Sequence, residues 1–96
     1  MTPLPTFADF EQSALQQGFD EVAERVWEPG TVVEDHGHPF AVQALVVQGE
    51  MWLTQKGATR YLKPGDRFAL DRHEPHAERY GSAGATYWAA RRHGAG

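Results

Sequence analysis

The sequence predicts an all-β sandwich or barrel preceded by one short α-helix. Short runs rich in valine, threonine and aromatic residues recur from Asp20 to Arg92. Glycine and proline signals interrupt them at regular intervals. Helical spacing of apolar residues appears only near the start, in "TFADFEQSALQQGF".

In that segment Phe7, Phe10, Ala14 and Leu15 recur at roughly helical spacing. Thr6 is the expected cap, with Asp9 three residues on in the place of the capping-box acid. Gly18 is the expected stop. The helix should pack on the outside of the β-region. The runs "EVAERVW", "TVVEDH", "FAVQALVV", "MWLTQ", "TRYL", "RFALD", "HAERY" and "ATYWAARR" read as about seven or eight short strands. "KGA" reads as a hairpin turn, and "KPGD" has proline and glycine where a type II turn wants them. Leu45 and Val47 belong to a strand apolar on both faces, which suits a doubly covered position. In "HAERY" the side chains alternate, and Arg79 belongs in water, so His76, Glu78 and Tyr80 are expected to face inward. The bulky aromatics Trp27, Trp52, Tyr61, Tyr87 and Trp88 are expected to fill the interior. With no linker or repeat, residues 1–96 are expected to form one domain with a β-core of about residues 20–92.

Composition narrows the function classes. Net charge is −4, and the only basic cluster is Arg91-Arg92, read as a solvated strand end, beside His93 in a tail expected to be disordered. A nucleic-acid or anionic-membrane partner is therefore not expected. The chain has no cysteine, which excludes disulfides, thiolate metal sites and a cysteine nucleophile. No secretory signal or membrane span is visible, so a cytoplasmic location is the expectation. Phosphate-loop, Ser-His-Asp and zinc-finger patterns are absent from the sequence.

The stretch "EDHGHPF" carries the chemistry. A period of two places His36 and His38 on one strand face, as two neighbouring ligands of one metal would need. His76, on the inward face of another strand, is the candidate third ligand. Three neutral imidazoles suit iron, manganese, nickel, zinc or copper, with a position left open for water or substrate. The alternative is a polar pocket without metal. His73, beside Pro75, reads as a solvated loop residue, and Glu34 shares the parity of the histidine pair.

Two motifs around these histidines resemble those of the cupin family. Gly30, His36, His38 and Gly49 have the order of the first cupin motif. Gly65, Asp71 and His76, opened by "KPGD", have that of the second. The resemblance covers roughly residues 22 to 92. It implies a double-stranded β-helix, a jelly-roll barrel, with metal ligands His36, His38 and His76 at its mouth, and a homodimer. The first motif's usual glutamate is missing, since Val42 and Gln43 stand at the two possible positions. Gln43 can offer an amide oxygen in its place. Glu78, two residues beyond His76, is a second replacement, as ligand or proton carrier, unless it pairs with Arg67 or Arg79. Tyr80 would orient a substrate. The expected function is a metal-dependent oxygenase, isomerase or lyase acting on a small organic molecule. The alternative is a non-catalytic small-ligand-binding or sensing module without redox activity.

Overall fold

The computed structural model describes residues 4–93. Helix α1 (Phe7–Gln16) is followed by β1 (Glu21–Trp27), β2 (Val32–His36), β3 (Ala41–Gln55), β4 (Ala58–Leu62), β5 (Arg67–Leu70) and β6 (His76–Arg92). The strands are fewer than the expected seven or eight because two pairs merge. "FAVQALVV" and "MWLTQ" form one strand of 15 residues, and "HAERY" and "ATYWAARR" one of 17. The glycines between them bend a strand rather than end it.

β3 and β6 pair antiparallel in two stretches, residues 41–49 with 85–92 and 51–55 with 76–80. β1 and β5 flank the first stretch, and β2 and β4 flank the second. Two layers thus share the same two long strands, folded over one core. This is the jelly roll that the family resemblance implies, except that its hydrogen bonding does not close into a ring.

The fold-over is built on glycine. Gly49 (φ 77°) and Gly84 (φ 68°) lie in the left-handed region, and the β3–β6 register shifts around Gly49. The two backbones also touch. A Cβ on Gly49 would collide with the carbonyl oxygen of Gly84, and one on Gly84 with that of Trp27.

Strand alternation fills the space between the layers. Val42, Ala44, Val46, Met51, Leu53, Phe68, Leu70, Tyr80, Tyr87 and Ala89 are buried there. The opposite face of the first layer carries Leu45, Trp88 and Ala90, which α1 covers with Phe10 and Ala14. This part of β3 is therefore covered on both faces, as its sequence predicts. Phe7 meets Trp88 edge-on, with centroids 5.4 Å apart. Thr6 caps α1 by accepting a hydrogen bond from the Asp9 main-chain N–H at 3.1 Å. Leu15 is exposed, contrary to expectation. It lies one residue past Ala14, about 100° around the helix from the buried stripe.

Both turn assignments hold. Lys56 (φ 52°) and Gly57 (φ 76°) form a two-residue hairpin loop between paired Gln55 and Ala58, as a type I′ turn requires. Asp66 N–H donates to the Lys63 carbonyl at 2.9 Å across Gly65 (φ 97°), completing the type II turn. His93 corrects the expectation of a disordered tail. Its main-chain N–H donates to the Asp20 carboxylate at 2.6 Å, and its ring nitrogen lies 3.0 Å from Glu21 Oε1. Among the described residues no helix is long and apolar enough to cross a membrane.

The two kinds of glycine should separate in stability measurements. Gly57 has no atom near an added Cβ, so Gly57→Ala is expected to cost about 1 kcal/mol of left-handed strain alone. Gly84→Ala adds a backbone collision and is expected to cost at least ~2 kcal/mol more in urea unfolding. Equal costs would mean that the fold-over does not depend on close backbone approach.

Candidate metal centre and its cavity

The three histidines converge. His36 ends β2, His38 follows it in the loop, and His76 opens β6 directly opposite His36 in the register. One nitrogen from each ring lies within 4.8 Å of the others. Ring centroids are 4.3 Å apart for His36–His76, 4.8 Å for His36–His38 and 5.1 Å for His38–His76. His76 is buried, while His36 and His38 are half-buried at the opening.

Backbone carbonyls orient two of the rings. Nδ1 of His36 lies 2.8 Å from the Glu34 carbonyl oxygen, and Nδ1 of His76 lies 3.1 Å from that of Glu74. A carbonyl can only accept, so each Nδ1 is the donor, and in the neutral ring Nε2 is the nitrogen with the free lone pair. The Glu34 group that supports the site is thus its main chain, and its side chain is solvated. His38 is held differently. Its carbonyl accepts from the His73 main-chain N–H at 2.7 Å, and its ring stacks on Phe40 at 4.9 Å. Burial, then the neighbouring His36 and His76, push the pKa of His38 below the usual imidazole range. It is neutral at pH 7, as a metal ligand must be.

Glu74 secures the loop before His76. Its carboxylate accepts from the Asp71 main-chain N–H at 2.9 Å and the Gln55 side-chain amide at 3.0 Å. These bonds, the Asp71 one foremost, hold its pKa below the ordinary carboxylate range. His73 is exposed and takes φ 62°, and its contribution is the main-chain bond to His38. It is a loop residue, as expected.

Glu78 is buried beside His76, with Oε2 3.7 Å from His76 Nε2. Its partners are tyrosines rather than the arginines considered from sequence. Tyr80 donates a short hydrogen bond to Oε1, and Tyr87 donates to the same oxygen at 3.3 Å. Burial foremost raises the pKa of both phenols, that of Tyr87 to about 12. Tyr80 is buried and stacked on Trp27 at 5.0 Å, and it does not line the cavity. Its position suits holding Glu78 rather than touching a substrate.

Gln43 is not brought to this cluster. It is exposed on the face of β3 opposite Val42, and Val42 lines the cavity. Strand alternation decides this, because two adjacent residues cannot both point inward.

The histidines form one side of a cavity of about 270 Å³. Val42, Phe68, Leu70 and Ala89 form an apolar wall, and Arg25, Trp27, Phe40, Tyr87 and Arg91 also line it. Arg25 and Arg91 are missed by the sequence reading, which left Arg91 as a solvated strand end. The available signal was parity: Arg91 shares a face with Tyr87 and Ala89, and Arg25 shares one with Trp27. The Trp27 indole N–H is buried without a hydrogen-bond partner among the described residues, beside the Tyr87 hydroxyl.

The chain matches the family described as AraC-like ligand binding domain over residues 18–91. Among solved structures it is similar to KdgF from Halomonas sp., with 24% identity and a TM-score of 0.68, over 74% of this chain and 66% of that one. It is similar to the DMSP lyase DddQ from Ruegeria pomeroyi DSS-3, with 23% identity and a TM-score of 0.70, over 75% of this chain and 37% of that one. An RmlC-like cupin from Shewanella frigidimarina matches with 21% identity and a TM-score of 0.66, over 74% of this chain and 64% of that one. The chain thus spans about a third to two thirds of these proteins' lengths, and at such identities the likeness concerns the fold. No curated protein matches.

The tyrosine–carboxylate cluster should be visible at alkaline pH. The folded phenols have raised pKa values, so the unfolded chain loses its protons first. Their contribution to stability is complete below about pH 10, the ordinary tyrosine value. For Tyr87 it is lost as pH rises from there to about 12. In a Tyr61→Phe background, which removes the exposed phenol, tyrosinate absorbance should appear together with unfolding, not before it. At neutral pH, Tyr80→Phe removes a donor to a buried carboxylate and is expected to cost ~1–3 kcal/mol in urea unfolding.

Proposed function

This chain belongs to the AraC-like ligand-binding domain family and has the fold of a small cupin, and on that footing we propose that it is a metal-binding protein acting on a small organic molecule. The ligands are His36, His38 and His76. The carrying observation is that backbone carbonyls orient two of the imidazoles through Nδ1, in a cluster of three converging rings. This donor set, three neutral nitrogens without thiolate, suits a divalent transition metal of the iron-to-zinc range.

When bound, such a metal supplies Lewis acidity to an oxygen of the small molecule. The remaining work falls to the chain's own groups. Glu78 moves the proton, because Tyr80 and Tyr87 occupy Oε1 and leave Oε2 on the histidine side. Tyr80 and Tyr87 fix the carboxylate's orientation, which pre-organises it for transfer. Val42, Phe68 and Leu70 exclude water from one wall. Lyase or isomerase chemistry needs only such a proton carrier beside a polarised substrate, and a DMSP lyase is among the proteins that share the fold.

The family match itself favours a second reading, in which the same cavity binds a small molecule without turning it over. Glu78→Gln separates the two. It should leave ligand affinity within a few-fold in a sensor and abolish turnover in an enzyme.

The first test is metal content. Wild-type protein reconstituted with nickel or zinc is expected to hold close to one ion per chain, and His76→Ala to lose affinity by at least ~100-fold. Affinity should also fall at acid pH, where protons compete with the metal for the ligand nitrogens. Absence of metal from reconstituted wild type would overturn the proposal.

A further inference from the structure

Two arginines face the cavity, and neither belongs to the metal cluster. Both arrive there by strand alternation. Arg25 stands opposite Tyr87 in the β1–β6 register, and Arg91 is two residues past Ala89. Arg91 is already engaged, with Nη1 3.3 Å from Glu21 Oε1 and its guanidinium 5.1 Å from the Phe40 ring centroid. Arg25 has no carboxylate within ion-pair distance among the described residues. Its guanidinium rests 5.0 Å from the centroid of the Trp27 ring.

This is an unusual place for an unpaired cation. The chain as a whole carries a net charge of −4, so the exterior offers acidic partners. An arginine kept at a cavity instead, stacked on an aromatic ring that limits its motion, presents a fixed fork of donors to whatever enters. That fork matches the two oxygens of a carboxylate. The apolar wall of Val42, Phe68 and Leu70 suits a hydrocarbon body. A volume of about 270 Å³ lies just below the range for drug-sized ligands, which sets a small size.

We propose that the cavity takes a small monocarboxylate, with Arg25 holding the carboxylate and the hydrocarbon body lying on the wall formed by Val42, Phe68 and Leu70. The proposal rests on the reading above that the histidine side is the reactive end, which the other end of the ligand then faces. A single unshared guanidinium answers one negative charge. A phosphate dianion would need a second free cation, whereas Glu21 holds Arg91 and the cavity is also lined by the carboxylate of Glu78.

The test uses isobutyrate, its neutral counterpart isobutyramide, and inorganic phosphate, in low-chloride buffer. Binding is followed by the indole N–H resonance of Trp27, in metal-free and in nickel-loaded protein. Nickel affinity is measured separately. Isobutyrate is expected to bind at least ~10-fold tighter than isobutyramide, since a charge-assisted pair is lost in the amide. Arg25→Gln should bring isobutyrate down to the level of the amide, while nickel affinity stays within about threefold. Arg25→Lys, which keeps the charge without the fork, should fall between.

Equal binding of acid and amide by wild type would overturn the proposal without recourse to any variant. So would unchanged isobutyrate affinity in Arg25→Gln, tighter binding of phosphate, or no response to isobutyrate. Failure of the metal reading looks different: nickel would not bind, while the Arg25-dependent preference for carboxylate persisted.

Discussion

The structure depends on two long strands bending together at the same level. β3 and β6 stay paired on both sides of the bend, and the bend brings Gly49 and Gly84 into backbone contact. Everything at the site follows from that geometry. The early part of β6 supplies His76, Glu78 and Tyr80 from one layer, and its later part supplies Tyr87, Ala89 and Arg91 from the other. One strand thus furnishes a histidine of the cluster, a buried carboxylate and a cation, and the fold-over turns them toward a common space. A side chain at either glycine would push the layers apart and separate these groups.

The second organising element is the buried carboxylate. Placing Glu78 beside His76 within the core costs desolvation unless donors are supplied. Tyr80 and Tyr87, on β6 like Glu78 itself, supply them, and Trp27 packs against Tyr80 from β1. The cluster therefore links the two layers through polar bonds where the rest of the core links them through apolar contact. It also leaves one carboxylate oxygen uncommitted on the histidine side.

Much of this was legible in the sequence. Period-two alternation places His76, Glu78 and Tyr80 inward, and all three are buried. The two tight turns follow from Lys56-Gly57 and Pro64-Gly65, because few residue pairs satisfy their dihedrals. Strand ends were less legible. A glycine within a strand and a glycine between strands look alike until partners are known, and Gly49 and Gly84 bend strands without ending them. Gln43 illustrates a different limit: its chemistry suits a ligand, but its place next to inward-facing Val42 turns it outward. Arg25 sits in a strand whose burial is incomplete and Arg91 at the end of one, so hydropathy alone reads them as solvated.

β2 has a particular standing in this architecture. It touches β6 through a register that is irregular between Val33 and His36, and it carries or immediately precedes two of the three converging histidines. Edge strands of this kind open more readily than central ones. Anything that bridges His36 and His38 to His76 therefore also fastens this edge to β6, which pairs with β1 and β3 as well. Occupancy of the centre would be written in amide exchange along residues 32–38, with β3 and the later half of β6 unmoved. The site would then act as a clasp, and the protein would report its cargo through the lifetime of one short strand.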